Sequence, residues 1–237
     1  MRYDPYEYNQ FDSSYGQAET LGQYTTKTFL WMFLGLLVTF ATSLTICLTG
    51  VIFYLFSIPG IQFILLIAEL LVVIYLSARV RQMSVGTAKA LFLLYALLNA
   101  VMFSTLFLYY GLFSMVLVFG VTALYFGGLA AYGYFTKSDL SGLRPILFMG
   151  LIFLVLFWGL SLFLNLSGFE RIACLVGIAI FMAYTAYDTQ MIRANYYYYS
   201  GYPDLLEKAS IFSALQLYLD FINLFIYLLR FLNNRKN

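Results

Sequence analysis

The 237-residue chain has no histidine, only two cysteines and few charges, with 10% of its residues Asp, Glu, Lys or Arg. Without an imidazole there is no histidine metal site and no histidine general base, which excludes a serine-histidine intramembrane protease. Cys47 and Cys174 lie inside or at the edge of apolar runs, so no disulfide framework is implied. Soluble domains carry about a quarter charged residues. This chain is 62% hydrophobic with a mean hydropathy of +0.83, and its surplus apolar surface needs lipid as solvent.

Long apolar runs of helix-spanning length are what it has instead. About 20 residues at 1.5 Å rise cross a hydrocarbon core of roughly 30 Å. Windows bounded by charges, Gly and Pro place spans at Phe29 to Leu48, Ile61 to Ser77, Ala88 to Tyr110, Leu112 to Tyr134, Pro145 to Leu166, Arg171 to Ile192 and Ala209 to Leu229. The first can run on past Gly50 through the apolar Val51 to Phe56, toward the turn at Pro59-Gly60. The expected class is all-α, a polytopic membrane protein of about seven transmembrane helices. Three segments are expected: a disordered cytoplasmic tail over 1–28, a membrane domain over 29–231 and a short polar tail over 232–237.

The opening segment is polar and tyrosine-rich, and its lack of a basic start leading into a short apolar stretch argues against a signal peptide. Cations set the orientation, because short cytoplasmic loops collect Lys and Arg. Lys27 precedes the first span, Arg79, Arg81 and Lys89 follow the second, Lys137 and Arg144 the fourth, and Arg193 and Lys208 the sixth. The opposite loops hold only Arg171, so the amino terminus is expected to be cytoplasmic. Arg230, Arg235 and Lys236 strain this scheme, and the seventh segment either crosses or re-enters. The run Tyr196 to Tyr199 reads as an interfacial anchoring belt after the sixth helix. Gly127, Gly128, Ala131 and Gly133 read as a close-packing stripe.

Acids within membrane helices cost at least about 2.5 to 3.5 kcal/mol each on insertion scales, so they line cavities or face partners. Glu69, Asp188 and Asp220 qualify. At helical spacing Ser213, Gln216, Asp220, Asn223 and Tyr227 form one polar stripe along the seventh span. Such a stripe suits a permeation path or a proton-sensitive latch, and the plainer alternative is hydrogen bonding that only holds the bundle together.

Leu217-Tyr-Leu-Asp-Phe-Ile-Asn-Leu-Phe225 with Leu228-Leu-Arg230, and Tyr187-Asp-Thr-Gln190 before it, resemble the closing signature of the transmembrane Bax inhibitor motif family. Helix count and orientation agree over roughly the last 210 residues. Glu69 followed by Arg79 and Arg81 resembles that family's second helix. The resemblance implies a central seventh helix enclosed by six others, and a pH-dependent calcium leak. It also implies a hydrogen-bonded, proton-sensing pair, by motif position Asp188 and Asp220, and an arginine that holds the closed state, either Arg79 or Arg81. The interval from Asn195 to Lys208 looks long beside bacterial-type relatives.

Two carboxyls in a poorly hydrated site cannot both ionise cheaply and so share a proton. The ionised pair would latch an arginine by charge-assisted bonds, and acidification would release it. Glu69 then suits an oxygen ligand on the ion path, with Asn223, Gln216 and Ser213 as further candidates, and an ion pair with a basic neighbour is the alternative for Glu69. The expected function is a pH-sensitive calcium leak channel. The rivals are a proton-coupled small-solute transporter, which usually shows inverted repeats, and an interaction protein modulating stress or proteolysis machinery. An aspartyl protease is disfavoured, because Asp220 follows Leu217-Tyr-Leu219 where such enzymes have a Gly-x-Gly context. No catalytic residues, no cofactor, no fixed metal site and no nucleic-acid partner are expected. The expected partners are the lipid bilayer and calcium as permeant ion, and the expected location is a bacterial plasma membrane.

Overall fold

The computed structural model describes residues 19–161, 163–164 and 166–233, and every regular element among them is helical. In chain order these are α1 (Leu21–Leu48), α2 (Val51–Phe56), α3 (Ile61–Arg79), α4 (Val85–Phe135), α5 (Arg144–Ser161), α6 (Glu170–Tyr199) and α7 (Pro203–Asn233). Short 3-10 turns at Ser141–Leu143 and Ser167–Phe169 lead into α5 and α6. Residues 1–18 of the expected tail and 234–237 at the carboxyl end lie outside the described residues.

A helix of 51 residues such as α4 would measure about 77 Å, more than twice the hydrocarbon thickness. It is broken at Gly111, whose φ of 76° and ψ of 158° are open to glycine and closed to most L side chains. The break falls between the expected spans ending at Tyr110 and starting at Leu112. Six helices, α1 and α3 to α7, are long and apolar enough to cross a membrane, or seven when the two halves of α4 are counted apart.

The ends differ from expectation where polar residues continue an apolar helix. Thr20 closes a capping box with Gln23, so α1 starts at Leu21 rather than Phe29. It does not run on past Gly50, which takes a left-handed φ of 73° and separates α2 as a short helix of its own. The tyrosine run is the last turn of α6, and only residues 200–202 separate it from α7, so the interval from Asn195 to Lys208 is mostly helix.

α7 sits at the centre, packed by α1, α4 and α6. In its most apolar stretch 67% of residues are buried, against 11% for α3 and α5, which turn Phe63, Leu71, Ile146 and Met149 outward. Aromatic rings fill the contact: Phe103 stacks on Phe225 at 5.5 Å, Phe119 lies 5.1 Å from Phe221, and Phe92 meets Tyr218 edge-on. α7 is one unbroken helix of 31 residues, about 46 Å, long enough to pass the whole hydrocarbon layer.

Candidate functional site

The three-residue turn after α6 folds α7 back along it and sets two acidic side chains face to face. Asp188 and Asp220 are 6% and 4% exposed, and their carboxyls lie within hydrogen-bonding reach of each other. A bond between two carboxyls needs a proton on one of them, so the pair carries at most one negative charge while it persists. Asp188 Oδ1 and Asp220 Oδ2 are left buried without a protein partner.

The residues flanking Asp188 hold it in place. Gly133 on the second half of α4 lies so close to α6 that a Cβ there would overlap the Ala186 carbonyl. Gly127 and Gly128, read with Gly133 as one close-packing stripe, have nothing within 4 Å of a Cβ, so the close approach belongs to Gly133. Thr185 and Thr189 return their hydroxyls to carbonyls one turn back on α6, at 2.8 and 2.7 Å. Gln190 accepts from Leu140 N–H and donates to Ser138 C=O, and Arg193 donates to Tyr134 C=O, which fastens the α4–α5 loop to α6. In that loop the Ser141 N–H and hydroxyl hold the Asp139 carboxyl below the usual carboxylate range.

The polar stripe on α7 meets partners from two neighbouring helices, α6 and α5. Ser213 accepts from Asn195 of α6, Asp220 meets Asp188, and Tyr227 accepts from Trp158 Nε1 of α5 at 3.1 Å. Asn223 donates to Leu219 C=O on its own helix. Gln216 lines a cavity of about 700 Å³ that runs from Asp188 to the helix ends, between Arg81, Arg144 and Asn195. A second polar cavity of about 420 Å³ opens at the opposite end of the bundle, bounded by Thr105, Tyr109, Glu170, Arg230 and Asn233.

The basic residues sort differently from expectation. Arg79 is turned to Gln82, to which it donates at 2.7 Å. Arg81 lines the Asp188 cavity and also lies over the Tyr199 ring. Arg144, the first residue of α5 and read from the sequence only for orientation, lines the same cavity as Asp188. Its one sequence signal was its place ahead of Pro145 at a helix start. Glu69 makes no ion pair among the described residues and keeps a buried oxygen without a partner. It lies on α3, outside the lining of the Asp188 cavity. Among the described residues no three His, Cys, Asp or Glu side chains gather as a metal site.

A helical bundle around a buried central helix, with two facing carboxyls at the central contact, defines a polytopic membrane protein with acidic groups in its core. The family model described as "Inhibitor of apoptosis-promoting Bax1" matches residues 21–237, and the chain belongs to this Bax inhibitor family. It is 39% identical over 219 residues to the inner membrane protein YbhL of Escherichia coli, covering 91% of this chain and 93% of the relative. An uncharacterised protein of Rickettsia prowazekii is 37% identical over 219 residues, covering 92% of each chain. One of Borreliella burgdorferi is 35% identical over 220 residues, covering 91% and 93%.

Proposed function

We propose that this membrane protein is a pH-sensitive calcium leak, closed by the Asp188–Asp220 pair and opened when the pair is fully protonated. The observation that carries this reading is the placement of the pair. It lies on the polar stripe of the central helix, between two polar cavities that enter the bundle from opposite ends. A proton-dependent charge at that point controls the local field where any ion would have to pass.

In this reading the singly charged pair attracts the nearby guanidinium and holds the 700 Å³ mouth shut, and the second proton removes the attraction. Arg144 is the first candidate for that role and Arg81 the second. The amino terminus is cytoplasmic and the membrane is a bacterial plasma membrane, in keeping with the inner membrane location in the name of its Escherichia coli relative. The protein acts as a passage rather than an enzyme.

The test is calcium entry into liposomes holding the purified protein, at about pH 6 and about pH 8. Non-saturating entry that grows on acidification supports the leak. Absence of entry at both pH values refutes it, and saturable, gradient-driven uptake of a small solute would establish the transporter instead.

A further inference from the structure

The Asp188 cavity is basic at its mouth. Arg81 and Arg144 line it, both exposed and neither in an ion pair among the described residues. A second lobe of about 260 Å³ shares Arg81, Asn195 and Phe212 with it and adds Lys208. Lys208 donates to the Arg81 and Met83 carbonyls, and an ammonium has a third donor left. Glu207, the acid beside it, is taken by Lys89. Three cations thus line the two lobes, and Asp188 is the one acid among the described residues that line them, an excess of positive charge that suits an anion.

We infer that this mouth binds a phosphate-bearing anion, with Arg81 and Arg144 as its two guanidinium ligands. Guanidinium forks match phosphate oxygens in pairs, and Asn195 and Gln216 add amide donors on the wall. A phospholipid headgroup fits better than a soluble phosphate for two reasons. Arg144 begins α5 and Arg81 follows the end of α3, so both sit at the level where helices leave the hydrocarbon. The outer wall is formed by Pro145 and Phe148, exposed on an outward-facing helix where an acyl chain would run. This site does not depend on the leak reading, because its readout is binding.

The test places the full chain in nanodiscs of phosphatidylcholine containing a minor share of phosphatidylglycerol, and counts the lipids retained by native mass spectrometry. Preferential retention of phosphatidylglycerol is expected. The doubly substituted R81Q/R144Q protein should lose it by roughly thirtyfold in affinity, at about 1 kcal/mol per cation. Both side chains are exposed, so the fold should survive, and Arg171→Gln at the opposite end should leave retention unchanged. Inorganic phosphate at millimolar concentration distinguishes the sources. Failure to displace the lipid supports the headgroup, and displacement with saturable phosphate binding supports a soluble phosphate at the same two arginines. Equal retention of both lipids by parent and double variant, with no phosphate binding, would overturn the site.

Discussion

The carboxyl of Asp188 on α6 faces that of Asp220 on α7, and each has a buried oxygen with no hydrogen-bond partner among the described residues. Asparagine at either position keeps a hydrogen-bonding partner but removes a proton site. The expected outcome for the double change is a calcium flux that no longer varies between about pH 6 and about pH 8, whereas Asp188→Asn or Asp220→Asn alone leaves one carboxyl and should alter the response without abolishing it. Liposome flux measures it, and a double variant with the parent's pH response would refute the latch.

Arg144 and Arg79 separate on the same assay. Arg144 faces Asp188, whereas Arg79 is turned to Gln82. Arg144→Gln should raise the flux at about pH 8 toward the value at about pH 6, because the charge-assisted hold on the ionised pair is gone. Arg79→Gln should leave both values unchanged. The reverse result would return the latch to α3.

Gly133 makes a close backbone contact that the other glycines of its stripe do not. Gly133→Val forces α4 away from the Ala186 carbonyl and should cost about 1–3 kcal/mol by overpacking. Gly128→Ala meets open space on a helix and should be neutral or stabilising by up to about 1 kcal/mol. Thermal unfolding in detergent compares them, and equal midpoints would contradict the packing.

Gln190 ties the α4–α5 loop through two hydrogen bonds. Gln190→Ala should lower stability by about 1–3 kcal/mol, since each net bond contributes about 0.5–1.5 kcal/mol. Faster hydrogen exchange at Leu140, whose N–H loses its acceptor, is the local signature. Unchanged exchange there would show that the loop is held by other contacts.

Lys89 and Glu207 form a partly exposed ion pair between α4 and α7. Solvent screens it, so Lys89→Met should cost no more than about 1 kcal/mol. The charge-swapped pair Lys89→Glu with Glu207→Lys should recover most of any loss, as a melting series at low salt would show.

The helices were legible because lipid-spanning segments announce themselves by length and apolarity, and the break at Gly111 fell between two expected spans. Their polar ends were not. Thr20 and Gln23 start α1 early through reciprocal side-chain bonds, and the tyrosines of 196–199 continue α6 where they were expected to follow it. Spacing along one helix revealed the stripe on α7, since a 3.6-residue period can be counted in a sequence. It could not reveal that Ser213, Asp220 and Tyr227 are met by Asn195, Asp188 and Trp158 from neighbouring helices.

Composition and periodicity by themselves determined the class of this protein, its spans and three intramembrane acids, Glu69, Asp188 and Asp220, because the cost of charge in lipid makes such residues stand out. The pairing of the two aspartates came from the family resemblance. Only the tertiary structure decided which cation faces them. Arg144 comes to Asp188 through the packing of α5 beside α6 and the fastening of the loop before it. No local pattern encodes that approach, since electrostatic partnership depends on distance in space and on the low-dielectric surroundings that packing creates.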